Sequence, residues 1–437
     1  MSHCVCLTTA VEHNNFYRSG GQHLGNDTCA ADKRMQVFCY VALWYPETYS
    51  GYYAGVSATD MDPFLCSHIV IAYFEFTVES DIVVFSPNVQ REALVRSIIH
   101  KGQSKRSTQF LLAVGGYNDF QYAEYSKIAR NQNLRNNFVN SVVTLLRRLQ
   151  VDGVDFMWNF IGRREHADIG NKYEDLIDLG EITKALCSRM KTEGFICVIT
   201  LVKVENRDQL SNEKYTNLIT TIIREADFVN IWTTDITPPS KGAGSALVPR
   251  DLLIPNYPPR SGGYYQGYSD HSINFVVDFY QQASKYNSDL LKKLSLVIAL
   301  DFPTHGFQRR DRVNINTTTA LHTDDNPVTG SRRYQFPYFE ICDNLLKEPS
   351  RWKVIEFPGG VPIAIDYGLN ADSKNIVAIP TLNEAYVKKK VAFARSQNLG
   401  GISIFHVTAD DISGRCRNQT YPILNAINDE LNGCRFF

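Results

Sequence analysis

The segment Val151-Asp-Gly-Val-Asp-Phe-Met-Trp-Asn159 holds the residues of this chain best placed to do chemistry. Side chains alternate between the two faces of a strand. Asp155, Met157 and Asn159 therefore share one face, and Phe156 and Trp158 share the other. Asp155 can carry charge and accept hydrogen bonds, whereas the Met157 thioether is at most a weak acceptor. Asn159 ends the row with a carboxamide, which has no ionisable proton near neutral pH and cannot serve as a general acid. Asp152, Gly153 and Asp155 also suit a purely structural role, as a turn leading into the strand and as polar packing.

Few other residues compete for a chemical role. Glu75 reads as a structural or loop-contacting carboxylate. Asp235 suits either a ligand contact or a structural hydrogen bond. His68 and His305 lack metal-ligand spacing and read as structural; no metal and no cofactor are expected. Trp44, Tyr117, Trp232 and Phe405 could stack on a ligand or pack a core. The run Lys388–Lys390 reads as a solvated helix face.

The elements that must position these residues follow from periodicity. Eight short apolar runs, Val37–Trp44, His68–Phe76, Gln109–Gly116, Val151–Trp158, Ile196–Lys203, Phe228–Thr234, Leu294–Leu300 and Gly400–Val407, are apolar on both faces. That suits strands of a buried parallel sheet. Between them, stretches such as Asn133–Leu149, Tyr173–Lys191 and Ala385–Gln397 carry apolar residues at helical spacing. The alternation predicts a (β/α)8 TIM barrel, an α/β fold whose site is built at the C-terminal ends of the strands. The long Pro- and Gly-rich segment Pro238–Tyr268 would belong to that face. About 100 residues separate the last two runs, so an inserted α+β subdomain is expected between strands 7 and 8. Within it, Tyr334–Ile341 and Pro358–Tyr367 read as strands or turns. The expected organisation is an irregular arm over 1–35, the barrel over 36–306 and 376–437, and the insertion over 307–375.

The Asp152–Asn159 segment resembles the signature of glycoside hydrolase family 18, the chitinases, which reads D-G-x-D-x-D-x-E. Asp152, Gly153 and Asp155 match its first half; Met157 and Asn159 stand where it has Asp and Glu. Other segments resemble the family in the same order: Phe38–Trp44, Cys66–Tyr73, Leu111–Asn118, Asp227–Asp235, Pro303–Gly306, Tyr338–Cys342 and Gly400–Gly414. The resemblance implies disulfides Cys39–Cys66 and Cys342–Cys416, and Cys187 with Cys197 is a plausible third pair. It also implies the chemistry at stake. In the family the Glu is the general acid, and the nucleophile is the substrate's own N-acetyl oxygen. A neighbouring Asp and a sixth-strand Tyr hold that group, and an eighth-strand Trp stacks under the sugar. Here Asn159 replaces the acid, Met157 the Asp, Thr234 the Tyr and Phe405 the Trp; Tyr117 replaces a further Trp, and Trp232 stands in place of a Met. Loss of a general acid alone costs roughly 10²–10⁴-fold in rate. The chain is therefore expected to be catalytically inactive, similar to chitinase-like lectins and imaginal disc growth factors.

Composition sets the remaining expectations. Net charge is -1, which gives no electrostatic reason to expect nucleic acid or an anionic membrane as a partner. No apolar stretch is long enough for a membrane span. Ten scattered cysteines and the sequons at Asn26, Asn316 and Asn418 suit a secreted glycoprotein. Met1–Thr9 lacks the basic and apolar regions of a secretory leader, so a leader absent from this sequence is expected. Two functions compete: a monomer that binds a glycan, such as a chitin-like oligosaccharide, through Trp44, Tyr117, Trp232, Asp235 and Phe405, or an interaction protein that engages a cell-surface receptor and keeps a vestigial cleft. An enzyme of different chemistry, using Asp155 with Asp235 or Glu75, ranks below both.

Overall fold

The computed structural model describes residues 35–43, 60–79, 82–85, 89–102, 108–116, 122–158, 172–201, 213–233, 245–246, 273–303, 305–308, 322–323, 335–357, 361–366, 375–380, 382–416 and 418–432. These residues all fall in the compact unit Met35–Phe437. The expected arm lies outside them, apart from Met35.

Eight parallel strands close into a barrel: β1 (Gln36–Ala42), β2 (His68–Phe74), β3 (Gln109–Gly116), β4 (Gly153–Trp158), β5 (Ile196–Leu201), β6 (Phe228–Ile231), β7 (Leu294–Ala299) and β8 (Gly401–Phe405). Each pairs with its sequence neighbour, and β8 returns to β1 through the register Gln36↔Gly401 to Cys39↔Ile404. The strands are apolar on both faces because both faces are covered. Outward residues such as Cys39, Ile69, Phe156 and Trp158 join the layer under the helices. Inward residues such as Phe38, Tyr40, Met157, Trp232 and Phe405 form a separate interior cluster.

The covering helices are α1 (Val89–Gly102), α2 (Tyr122–Arg130), α3 (Gln132–Leu149), α4 (Lys172–Glu193), α5 (Glu213–Glu225), α6 (Ile273–Ala283), α7 (Ser288–Leu291), α8 (Tyr338–Lys347), α9 (Glu384–Ser396) and α10 (Pro422–Asn432). Helix α3 shows how the sequence delivers the key strand. Asn131 caps its start, with the side-chain oxygen accepting from the backbone of Asn133 and Leu134. Leu134, Phe138, Val142, Leu145 and Leu149 give it one buried face. Gln150 ends it in the left-handed conformation at φ 58°. The chain then enters β4 through Asp152, whose N–H donates to the Phe110 carbonyl and whose Oδ2 accepts from the Phe110 N–H, both at 2.7 Å. Gly153 follows because any Cβ there would lie 2.3 Å from the Ile196 carbonyl oxygen.

Between β7 and β8 an antiparallel sheet runs in the order His305–Gln308, Asn375–Pro380, Val361–Asp366, Trp352–Phe357. Arg351 pins it through two bonds to the Asp366 carboxylate, at 2.6 and 2.7 Å. One expectation here is corrected. Of the described residues of the Tyr334–Ile341 segment, Gln335–Pro337 are strand, and from Tyr338 the chain is α8. Tyr338, Ile341 and Cys342 recur at helical spacing on its buried side, Pro337 fixes its start, and Glu340 and Lys347 sit at the ends the helix dipole favours. A second correction concerns Lys390 in α9: Lys389 is exposed, but Lys390 is fully buried, with Nζ 4.9 Å from the centre of the Tyr386 ring. The helical period turns the third lysine of the run inward.

Among the described residues three disulfides staple the unit: Cys39–Cys66 between β1 and the turn before β2, Cys187–Cys197 between α4 and β5, and Cys342–Cys416 between α8 and the segment after β8, with Cα separations of 6.1, 5.2 and 5.8 Å. Among the described residues no helix is long and apolar enough to cross a membrane.

Candidate functional site

Inward residues repeat every second position along each strand, so the barrel interior is built in levels. At the N-terminal end, His68 stacks on Phe38 at 4.4 Å between ring centres and meets Phe228 edge-on at 5.5 Å. Burial lowers the His68 pKa to about 4, so the ring is neutral near pH 7 and acts as packing.

The middle level is polar. Asp155 is fully buried. Its Oδ2 accepts from the Tyr40 hydroxyl at 2.5 Å, and its Oδ1 accepts from the Thr200 hydroxyl at 2.9 Å. The Tyr40 oxygen accepts from Asn230 Nδ2 at 2.6 Å, and Asn230 Oδ1 accepts from the Ser403 hydroxyl at 2.8 Å. Ser295 meets Ser403 at 2.6 Å. Because Ser403 gives its proton to Asn230, Ser295 donates to Ser403, and the chain of donors runs from Ser295 to Asp155. It links β7, β8, β6, β1, β4 and β5 across the barrel. Burial raises the Asp155 pKa to about 6, against the opposing pull of the Tyr40 and Thr200 hydroxyls. Burial, and after it the same carboxylate, push the Tyr40 phenol well above its ordinary range and hold it protonated.

Toward the C-terminal end the interior is apolar. Met157 is fully buried, two residues beyond Asp155 on the same inward row. Trp232 follows β6 and keeps its place in the wall through its backbone N–H, which donates to the Leu201 carbonyl at 2.9 Å. It meets the Phe405 ring edge-on at 4.7 Å, while Phe405 meets Tyr40 at 5.4 Å and Tyr73 at 6.3 Å. Tyr73 lies over Gly116, where an added Cβ would come within 2.5 Å of the ring; Gly116 has φ +109°, a conformation that glycine permits.

The structure thus brings together Asp155, Met157, Trp232 and Phe405 from the sequence-derived set. Asp152 stands apart at the exposed start of β4, where its carboxylate serves the backbone of Phe110. Glu75 directly follows β2 and is half-buried. Trp44, Tyr117, Asn159, Thr234, Asp235, Asn26 and Asn316 lie outside the described residues; Asn418 is exposed. Sequence reasoning did not single out Tyr40, Tyr73, Thr200, Asn230, Ser295 or Ser403. Their signal was present in the period-two series Phe228, Asn230, Trp232 and Gly401, Ser403, Phe405. The pair Asp410-Asp411 after β8 is architectural. Asp410 accepts from the Leu424 N–H at 2.9 Å at the start of α10, and Asp411 accepts from the Cys416 N–H at 2.7 Å beside the disulfide.

The sequence profile of the glycosyl hydrolases family 18 matches residues 36–410. Imaginal disk growth factor 6 of Drosophila melanogaster is 24% identical over 419 residues, spanning 85% of this chain and 88% of the relative. The Group IV chitinase of Ostrinia furnacalis has a similar structure, with a TM-score of 0.72 at 22% identity over 91% of this chain and 99% of that one. Human YKL-39, a pseudo-chitinase with retained chitooligosaccharide binding properties, gives a TM-score of 0.69 at 18% identity over 91% and 99% of the two chains. At these identities the structural likeness establishes the fold.

Proposed function

The chain belongs to the family 18 glycosyl hydrolases, and on that premise we propose that it is a secreted chitinase-like protein that binds a glycan without cleaving it. The observation that carries this reading is Met157. It occupies the inward row of β4 beside Asp155, at the position where the family signature has an Asp. A thioether neither orients an N-acetyl group through a strong hydrogen bond nor offsets a developing positive charge. Asn159, at the signature's Glu position, has no proton to give a leaving oxygen. Asp155 alone supplies one buried carboxylate held by two hydroxyls, which suits a structural or binding role. Binding by the pseudo-chitinase YKL-39 shows that the two properties separate in another protein of this fold. Three disulfides support an oxidising, extracellular setting.

The test pairs two measurements on the full chain. Incubation with a fluorogenic chitobioside should release no fluorophore above the uncatalysed rate, and calorimetric titration across a panel of chito-oligosaccharides and other glycans should give heat for at least one. Turnover that disappears in Asp155→Ala would refute the loss of catalysis. A panel with no binding would move the reading to a receptor-engaging protein with a vestigial cleft. The burial of Trp232 and Phe405 favours that second reading, and the likeness to a growth factor supports it.

A further inference from the structure

We infer that Trp232 decides what enters this barrel: with Phe405 and Tyr73 it forms an aromatic cap that closes the interior over the Asp155 cluster. The inference rests on the glycan-binding reading for the class of ligand concerned.

Ligands of this architecture approach from the C-terminal ends of the strands. Phe405 and Tyr73 stand at those ends of β8 and β2, and Trp232 directly follows the end of β6. Their exposures are 6%, 7% and 8%, so none offers an open ring face. Stacking under a sugar ring needs such a face. Phe405 is instead engaged edge-on by Trp232 at an interplanar angle of 66° and by Tyr40 at 62°. Below the cap, Asp155, Thr200, Asn230 and Ser403 are all fully buried. They hydrogen-bond to one another and to the buried Tyr40, so these four side chains are engaged within the cluster. Trp232 is the largest member of the cap, and no described glycine makes room for it. Tyr73, by contrast, is seated by Gly116. A sugar can therefore reach Phe405 only where the indole is absent, and in the native chain glycan contact is confined to the outer mouth.

The probe is tetra-N-acetylchitotetraose, titrated calorimetrically into the full wild-type chain, Trp232→Ala and Trp232→Met. The methionine variant fills the gap flexibly and keeps the test readable if the alanine variant does not fold. The expected result is at least tenfold tighter binding in the folded variants than in wild type, reversed when Phe405→Ala is added. Affinity within twofold of wild type in variants of native far-UV spectrum would overturn the cap, and so would weaker binding, which would make Trp232 a platform. Chitobioside turnover by wild type would overturn the cap together with the non-catalytic reading, because hydrolysis would need a sugar seated at Asp155; chitotetraose binding to Trp232→Ala but not to wild type would sink the glycan-binding reading of the native chain alone and leave the cap standing.

Discussion

Asp155 titrates in a place water does not reach, and replacing it with asparagine tests that placement quantitatively. Burial moves its pKa from 3.8 to about 6. Each unit corresponds to about 1.4 kcal/mol, so the two-unit shift is worth about 3 kcal/mol. The sign is the reverse of a salt-bridged aspartate. The folded chain holds this proton more tightly than the unfolded chain, so the contribution is full below pH 3.8, is lost as pH rises to about 6, and is flat above. Asp155→Asn keeps the shape and removes the titration, while every other carboxylate is common to both proteins and cancels. Urea unfolding of wild type and variant between pH 4 and pH 8 reads the difference directly. Wild-type stability relative to the variant should fall by about 2.5 kcal/mol across that range, the remainder having been lost by pH 4. A difference that is constant, or that grows with pH, would refute the argument, because it would mean that hydroxyl donors rather than desolvation govern this carboxylate.

Lys390→Met should abolish the gain in stability that wild type shows as pH rises toward 10.5, since burial holds the Lys390 pKa well below that value; parallel denaturant titrations of both proteins at pH 7 and pH 10 check it. The disulfides should differ in worth by the chain each encloses. Removing Cys342–Cys416, with a sequence separation of 74, should cost about 4.5 kcal/mol, and removing Cys187–Cys197, with a separation of 10, about 2.5 kcal/mol. Equal losses in urea midpoints would contradict that ordering. Asn418, Gln419 and Thr420 are all exposed, so secretory expression should add a glycan there; the glycosidase-sensitive mass shift should shrink in Thr420→Ala.

The barrel was legible in the sequence because both-face apolar runs and helical periods report burial directly. Seven of the eight predicted runs contain a barrel strand and the first overlaps β1, which starts one residue earlier at Gln36; α3, α4 and α9 fall on the predicted helical stretches. Alternation along a strand also assigned Asp155 and Met157 to one face and Phe156 and Trp158 to the other. Two local readings failed where neighbouring packing decided. Tyr338–Ile341 is helical because its apolar residues meet the core every third or fourth position, and Lys390 is buried because α9 turns that position inward.

Partnership inside the barrel belonged to the tertiary structure alone. Tyr40, Asp155, Thr200, Asn230 and Ser403 come from five strands and as many as 363 positions of chain, and no pattern in one strand says which residue lies opposite in a closed ring. The same holds for Trp232 and Phe405. Their types suggested either stacking on a ligand or packing a core, and their meeting edge-on at 4.7 Å, both buried, followed from closure of β8 onto β1 and β7. Which side chains point inward was readable along each strand, because that depends on the two-residue period of a strand. Which of them touch depends on the radius and register of the closed barrel, and those arise only when all eight strands are in place.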